Sequence, residues 1–558
     1  MRTLLPLLLA LVGVASVYAV GLDNGFVWLD QFEIVEGALI VDSPSAFFAL
    51  FGDDHNFAGY HRPIYNLIHS VDRAWSGLDP WGFQLSSRLY HLLNVLLVFW
   101  LARRCGWQAW SAGIAAALFG LHPVNTAAAG LIHSKADLFV FTALAGSTAL
   151  FLGRGPRPSG SLGRLASLCV FVLALFTKET AFLFPVGATL WLLFGKVGAV
   201  EQRRSWKSWL IGLWALAILA GLARLAATDT AYPSALSLGE RLATFCFVYV
   251  DYVRKLVLPL DLSVADTVTR FSALGTAARI QGFGAFAFLV AGQVFLWRRL
   301  PAIRKWIVLY HLALLPVSQI IPILHFRADR FLYVPSLAFV GAAVENIGCW
   351  LASRKTSPQA IGLAAGLVLT AYGARDISRL REFESNQTLF ASELLRRPDY
   401  LEGITHLARD LDRAGRFDQA RELYAFCLQP HPEIVSYIDG EGTLLAYSAN
   451  LLAGGLYQEA YGLIDRVQST VRNPTVASEL AYNRGVAARR LGKHEEALTL
   501  LTAYGEAHPG DASCFFLIGQ TASALGRKAE ARRAFERYLS LVPDAPERAS
   551  IERTLAED

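Results

Sequence analysis

Long apolar runs dominate the chain up to residue 375, and a charged, helical pattern follows them. The apolar runs are close to the length that crosses the hydrocarbon core of a bilayer, about 17–25 residues. The first run has no convincing small-residue cleavage site, so we interpret it as a retained span instead of a signal peptide. The pattern predicts eleven membrane-spanning helices: 3–21, 88–102, 107–121, 137–152, 165–177, 180–195, 208–226, 282–297, 305–324, 331–349 and 358–374.

The charges between these runs predict the orientation of the helices. With the N-terminus in the cytoplasm, the inside segments carry 16 basic residues and one acid, Glu201. The first outside loop, residues 22–87, carries nine acids. This distribution follows the positive-inside rule. Because eleven is an odd number, we expect everything after residue 375 to lie on the outer side of the membrane.

A period of 34 residues organises the charged part of the chain. Gly485 and Gly492 recur as Gly519 and Gly526. The same offsets from the second glycine carry Ala497, Leu501, Tyr504 and Pro509 in one unit, and Ala531, Phe535, Tyr538 and Pro543 in the next. Residues 415–432 repeat these offsets, and residues 455–467 form a looser copy. We therefore predict tetratricopeptide repeats over residues 398–558, joined to a membrane domain of residues 1–375 by a connecting helix at 376–397.

The composition agrees with a membrane protein of the all-α class. Hydrophobic residues make up 54% of the chain and charged residues 17%, whereas soluble domains average about 45–50% and about 25%. This excludes an ordinary soluble enzyme, and the 34 Phe, 19 Tyr and 13 Trp exclude a disordered chain. The six cysteines are scattered singly, so they indicate neither a disulfide framework nor a zinc site.

Ionisable residues stand directly beside the apolar runs in the predicted outer turns. Such groups are costly at membrane depth, and by default they indicate a functional polar cavity. They occur in four sequence clusters: His122 in LHPVN, His133 with Lys135 and Asp137 in HSKAD, Lys178 with Glu179 in FTKET, and His325 with Arg327, Asp329 and Arg330 in HFRADR. The alternative is that single pairs among them are interfacial ion pairs and that His122 caps a helix.

These residue types suit the transfer of a sugar from a polyprenyl phosphate to a hydroxyl. A phosphate leaves readily, so one carboxylate suffices as the base for the attacking hydroxyl. Asp30, just after the first span, is the candidate base. Cations would stabilise the charge that develops on the phosphate. The candidates for binding phosphate or sugar are Arg62, His122, Lys178, Arg327 and Arg330.

We expect neither a metal nor a cofactor. Asp53 and Asp54 precede His55 without a third ligand in view, and the chain has no phosphate-binding loop of the GxxxxGKS kind. The lipid-linked sugar would be a substrate that carries its own energy. The expected partners are this donor, membrane lipid and an acceptor polypeptide held by the repeats, but no nucleic acid.

Seven motifs in a fixed order resemble a known family over essentially the whole chain. They resemble the transmembrane-and-tetratricopeptide-repeat O-mannosyltransferases and their bacterial relatives, which have the GT-C glycosyltransferase fold. The resemblance implies a mannose-type lipid-phosphate donor, inversion at the anomeric carbon, a Ser or Thr acceptor, and Asp30 as the base. The motifs are NGFVWLDQFEI, HRPIYNL, GLDPWGFQLSSRLYHLLNVLL, LFGLHPVNTAAAGLIHSKADL, FTKETAFLFP, VLPLDLSVAD and LPVSQIIPILHFRADRFLYVPS.

The chain departs from the family pattern at the acceptor end. The family usually has two adjacent acids where this chain has Leu29 and Asp30, and Glu33 would need a different loop path to replace the first. The HP of LHPVN, the KE of FTKET and the DR of FRADR are intact. Two alternatives therefore stay open: a non-catalytic scaffold that presents its repeats for envelope assembly, and an envelope polysaccharide glycosyltransferase or ligase. We expect a multi-pass protein of the bacterial inner membrane with periplasmic repeats; in a eukaryote the outer side would be the endoplasmic-reticulum lumen.

Overall fold

The computed structural model describes residues 3–51, 61–153, 159–194, 200–227, 236–265, 267–436 and 438–556. It divides the chain into two compact units, Met1–Tyr400 with Pro432–Ser436, and Leu401–His431 with Tyr437–Asp558. Both units are helical. The strands described are β1 (Val268–Thr269) and β2 (Ile434–Val435), which form an antiparallel pair within the first unit.

The first unit contains sixteen α-helices among its described residues. They are α1 Leu5–Tyr18, α2 Pro44–Ala49, α3 Pro63–Ser76, α4 Pro80–Arg104, α5 Ala109–Gly120, α6 Thr126–Gly130, α7 Lys135–Leu152, α8 Ser161–Leu175, α9 Phe184–Phe194, α10 Val200–Ala227, α11 Leu238–Val257, α12 Thr276–Arg299, α13 Arg304–Leu314, α14 Tyr333–Ser353, α15 Pro358–Glu382 and α16 Asn386–Arg396.

Helices form at the predicted spans, but not all of them meet the length and hydropathy of a span. Six do so among the described residues: Pro80–Arg104, Ile132–Leu152, Ser205–Ala226, Thr276–Arg299, Asp329–Leu351 and Pro358–Glu382. A pair bent by 49°, Ala109–Gly120 with Pro123–Gly130, would make a seventh. Helix α1 and the helices near residues 165–195 are apolar but shorter. The predicted number of eleven spans is therefore not reproduced. Six helices are long and apolar enough to cross a membrane, and other apolar helices are too short.

Helix α12 gives the plainest sign of a lipid environment. It has 24 residues, it is apolar over most of its length, and none of its residues is buried within the protein. A helix that is hydrophobic on all sides without being buried exposes a large apolar surface to water. Several helices of this unit are therefore long and apolar enough to cross a membrane.

Small residues let the helices around α1 approach closely. A Cβ atom placed on Gly120 of α5 would lie 2.5 Å from Val14 of α1, and one on Gly113 would lie 2.4 Å from Pro6. Val14 and Phe119 are fully buried in the core that α1 and α5 share with α4 and α7. This packing fixes the C-terminal end of α1, from which the chain enters the candidate site.

The second unit consists of paired helices. They are α17 Leu401–Arg413, α18 Phe417–Cys427, α19 Gly440–Ala453, α20 Tyr457–Val467, α21 Pro474–Arg490, α22 His494–Ala507, α23 Ala512–Ala524, α24 Lys528–Leu541 and α25 Arg548–Ala556. The four glycines that end the first helix of each pair all have positive φ, which only glycine adopts readily. They are Gly415, Gly455, Gly492 and Gly526, with φ between 71° and 79°.

The other periodic positions pack the two helices of a pair together. Ala420, Ala460, Ala497 and Ala531 are buried. The Tyr424, Tyr504 and Tyr538 hydroxyls each donate to a carboxylate, on Asp412, Glu479 and Glu547, at 2.8–2.9 Å. The tetratricopeptide pattern expected from the 34-residue period is therefore present in the helices.

Gly519→Val is expected to destabilise the last full repeat by about 1–3 kcal/mol, because a core without free space resists an added side chain. A Cβ atom on Gly519 would lie 2.6 Å from the buried Phe535 ring. Hydrogen–deuterium exchange of residues 513–545 in the full chain measures the effect. Gly462→Ala is the matched control, since its Cβ atom meets nothing within 4 Å. Equal protection in both variants would contradict the packing described.

Candidate active site

Asp30 lies in the turn that follows α1, and it is fully buried. Its Oδ2 atom accepts the Val27 N–H at 3.0 Å. Its Oδ1 atom accepts two donors of His133: the backbone N–H at 2.8 Å and the ring Nδ1 at 3.0 Å. The candidate base is thus held by three donors, and one of them is a histidine ring.

Trp28 lies between His133, the partner of this acid, and Arg330 of the FRADR motif. Its indole ring meets the ring of His133 edge-on, with the centroids 4.7 Å apart, and it meets that of His325 at 5.3 Å. The Arg330 guanidinium lies 5.4 Å from the centre of the same indole ring. The tryptophan therefore contacts both the acid–histidine pair and a cation.

The backbone of Trp28 is unusual as well. Its φ is +56°, a value that a bulky residue rarely adopts. The Asn386 Oδ1 atom of α16 accepts the Trp28 N–H at 2.6 Å. Strained backbone persists where its surroundings hold it in place, and it is frequent at functional sites.

Glu33 supplies a second acid beside Asp30. A π-helical turn, Gln31–Val35, carries Glu33 inward, where it is buried. Its Oε2 atom lies 2.7 Å from the Tyr65 hydroxyl, which lies 2.6 Å from the carbonyl oxygen of His133. Burial raises the pKa of Glu33 to about 8, and the hydrogen bond to Tyr65 opposes that rise. The Tyr65 hydroxyl has one hydrogen and two acceptors within reach, so it bridges Glu33 and the carbonyl oxygen of His133.

Glu33→Gln is expected to reduce the pH dependence of stability. A carboxyl whose pKa is raised in the folded state favours folding below its unfolded value of 4.5, and this contribution is lost as the pH rises towards about 8. The variant should therefore match the wild type at pH 5 and unfold several degrees higher at pH 9, as measured by thermal unfolding in detergent. Glu36→Gln, in the same turn but exposed, is the control and should change neither value. A variant that unfolds lower than the wild type at pH 9 would show that Glu33 is needed in its charged form.

Arg330 has no ion pair among the residues that the structure describes. Its Nη2 atom donates to His325 Nδ1 at 3.1 Å, and its Nη1 atom is buried without a hydrogen-bond partner. A buried guanidinium nitrogen without an acceptor is costly. An anionic ligand at this position would satisfy it.

Two further candidate cations lie nearby, but both have acidic partners. Lys178 donates to Asp137 at 2.5 Å. Arg62 forms a two-pronged ion pair with Glu179, whose carboxylate also accepts Arg224 at 2.5 Å. Burial lowers the pKa of Lys178; Asp137 opposes this, whereas Arg62 and Arg330 lower it further. Lys178, Arg62 and Arg330 therefore belong to one positively charged region.

Arg327 and His122 have partners outside this cluster. Arg327 pairs with Asp251 of α11 at 3.1 Å and donates to the carbonyl oxygen of Thr267. His122 is fully buried. Its Nδ1 accepts the Val124 N–H at 3.4 Å, so its Nε2 donates to the carbonyl oxygen of Leu256 at 3.0 Å. The alternative interpretation of His122 as a helix cap agrees with these contacts.

The described residues contain no group of three or more His, Cys, Asp or Glu side chains arranged to hold a metal ion. Asp53, Asp54 and His55 lie outside the described residues. The sequence interpretation assigned no role to Trp28, Glu33 or His133. HSKAD did mark His133 as an ionisable residue beside a span, but no sequence signal identifies its partner as Asp30.

A comparison with known protein families matches the repeats. Residues 513–545, which include α23 and α24, match the family described as tetratricopeptide repeat. The comparison with curated proteins finds no match. Among solved structures, a chain of the "Crystal structure of APC/C hetero-tetramer Cut9-Hcn1" is 12% identical, with 88% of this chain and 89% of that chain covered and a TM-score of 0.22. A score this low carries no argument about the fold.

The tetratricopeptide repeat is thus confirmed, and such repeats generally bind other proteins.

Proposed function

We propose that the membrane unit transfers a sugar from a polyprenyl-phosphate donor to a hydroxyl group. The observation that carries this proposal is the position of Trp28. It lies between a buried acid–histidine pair, Asp30 with His133, and Arg330, whose Nη1 atom has no acceptor among the described residues. A proton acceptor and a phosphate-binding cation are the two groups that this transfer needs on either side of a sugar.

The charges of the site favour a phosphate over a neutral ligand. Arg330 has no carboxylate partner among the described residues, and Lys178 and Arg62 lie close enough to share its field. Guanidinium groups match the geometry of phosphate oxygens. The phosphate of the donor would bind at Arg330, near Lys178 and Arg62, which keep their ion pairs with Asp137 and Glu179.

The repeats support a polypeptide as the acceptor. Stacked helical pairs form an extended surface that suits a peptide chain. The acceptor hydroxyl would then belong to Ser or Thr, the sugar would be mannose as the family resemblance implies, and transfer would invert the anomeric carbon. We place this reaction on the outer side of the membrane, with the repeats on the same side and the N-terminus in the cytoplasm.

The second candidate is a scaffold without catalytic activity. The ion pairs Lys178–Asp137 and Arg62–Glu179 favour it, because paired charges also stabilise a protein at the membrane interface. A scaffold has no use for the unpaired nitrogen of Arg330, so the enzyme accounts for more of the site.

Wild-type protein in lipid nanodiscs, supplied with radiolabelled polyprenyl-phosphate mannose and a pool of Ser/Thr-rich peptides, distinguishes the two. Label in the peptides is the expected result. Donor binding without label would exclude mannose or these peptides and direct the search to another sugar or to a polysaccharide acceptor. Absence of donor binding would contradict the proposal and favour the scaffold.

A further inference from the structure

We propose that His133 takes the proton from the acceptor hydroxyl and that Asp30 is a positioning residue; this rests on the proposed transfer. The sequence pattern assigns the proton to Asp30 itself. The contacts of Asp30 argue for a different division of roles between the two residues.

Both oxygens of Asp30 are already occupied. Oδ2 accepts the Val27 N–H, and Oδ1 accepts the backbone N–H and the ring Nδ1 of His133. The whole residue has no exposed surface. An acceptor hydroxyl would have to displace backbone hydrogen bonds in order to reach this carboxylate, and unpaired buried N–H groups cost free energy.

The pairing with Asp30 fixes the tautomer of His133. A carboxylate only accepts hydrogen bonds, so Nδ1 carries the hydrogen and Nε2 carries the lone pair. Nε2 is buried and has no hydrogen-bond partner among the described residues. A nitrogen that is basic, sheltered and unpartnered is suited to accept a proton from a bound hydroxyl.

The ring of His133 is also held in place on its other sides. Trp28 stands at 84° to it, with the ring centroids 4.7 Å apart. The carbonyl oxygen of the same residue accepts the Tyr65 hydroxyl. A carboxylate that orients a histidine and stabilises its protonated form is the arrangement found in Ser–His–Asp hydrolases.

These groups account for every bond that forms or breaks in the transfer and for the proton that is released. The acceptor O–H proton moves to Nε2 of His133 as the acceptor oxygen bonds to the anomeric carbon. The bond from that carbon to the phosphate oxygen breaks, and its electron pair stays on the polyprenyl phosphate beside Arg330. Asp30 stabilises the imidazolium, which then releases its proton to water.

His133→Ala tests the proposal, because its expected effects differ from those of losing a purely structural residue. Transfer by full-length protein in nanodiscs should fall by about 10²–10⁴-fold, the usual contribution of a general base. Binding of polyprenyl-phosphate mannose should stay within twofold of the wild type. Added imidazole should restore the rate at least tenfold, and methylated imidazoles of higher basicity should restore it further.

His69→Ala is the matched control. His69 is a buried histidine of α3, and neither of its ring nitrogens has a hydrogen-bond partner among the described residues. Removal of the His69 ring leaves a cavity of the same size as removal of the His133 ring. Imidazole should nevertheless not raise the rate of sugar transfer by His69→Ala, because His69 is not the base. Equal recovery in both variants, or no recovery in His133→Ala, would overturn the assignment of the base.

His133→Asn covers the case in which the alanine variant does not fold. The asparagine amide keeps a donor for Asp30 and lacks the distal nitrogen, so the folded variant should be inactive. Near wild-type transfer by His133→Asn would overturn the role of His133 alone. Failure of the wild type to transfer any sugar would overturn the proposed function and this inference together, which keeps the two failures distinguishable.

Discussion

Asp30→Asn is expected to lower the rate of sugar transfer by about three to four orders of magnitude while the donor stays bound. In an acid–histidine pair, an amide in place of the carboxylate favours the wrong tautomer of the ring. The amide nitrogen of the variant would face one of the three donors that Asp30 now accepts. His133 would then carry its hydrogen on Nε2 and lose its ability to accept a proton.

Transfer and donor binding should be measured together in the same nanodiscs. Asp79→Asn is the matched control, because Asp79 is an acid of the same loop and its side chain caps α4 by accepting the Trp81 N–H at 3.0 Å. Asparagine caps helices about as well as aspartate, so this variant should keep its activity. Full activity in Asp30→Asn would show that Asp30 is neither the base nor a positioning residue.

Arg330→Gln is expected to weaken donor binding by about 10- to 100-fold. A hydrogen bond to a charged group contributes about 1.5–3 kcal/mol, and each 1.4 kcal/mol corresponds to a factor of ten in affinity. Arg330 is the candidate cation with a buried nitrogen and no ion pair among the described residues. Its replacement should therefore cost more affinity for the phosphate of the donor than replacement of the other candidate cations. The loss should shrink in high salt, because screening also weakens the wild type.

Arg327→Gln is the matched control for this prediction. Its guanidinium is paired with Asp251, so we expect lower thermal stability but donor affinity within twofold of the wild type. Binding titrations of polyprenyl-phosphate mannose into nanodiscs give both affinities. Equal losses in the two variants would show a general effect of positive charge, and unchanged binding in Arg330→Gln would place the phosphate elsewhere.

The helices and repeats were largely predictable from the sequence because both depend on local pattern. The predicted span 282–297 is apolar over most of its length and lies within α12. The period of 34 residues located Gly492 and Gly526, and the repeated offsets located Gly415 and Gly455; their positive φ follows from their place between paired helices. The number of spans was less predictable, since apolar composition does not distinguish a full crossing from a shorter helix.

The candidate site was only partly predictable, because its geometry depends on contacts between distant segments. Asp30 and Arg330 were both identified as candidates, and the structure places Trp28 between Arg330 and His133, the partner of Asp30. Arg327 stands three residues from Arg330 and yet faces Asp251 instead. Neighbouring residues of one motif can therefore include a candidate for phosphate binding and a member of a structural ion pair. Residue type alone does not distinguish the two.

Glu33 shows what a residue pattern misses. Leu29 stands where the family usually has the first of two adjacent acids, so the sequence departs from the family pattern at the acceptor end. The π-helical turn at Gln31–Val35 supplies the different loop path that Glu33 needs to reach the interior. A π turn has no strong signature in sequence, and neither does the positive φ of Trp28 that precedes it.

In the proposed reaction, one sugar leaves a lipid phosphate for each hydroxyl that is glycosylated. Mass spectrometry of a single nanodisc reaction can count both products, the released polyprenyl phosphate and the glycosylated peptide. We expect equal amounts of the two from the wild type, and neither from Asp30→Asn. Polyprenyl phosphate released without glycosylated peptide, or a peptide product that is the same in both proteins, would contradict the account.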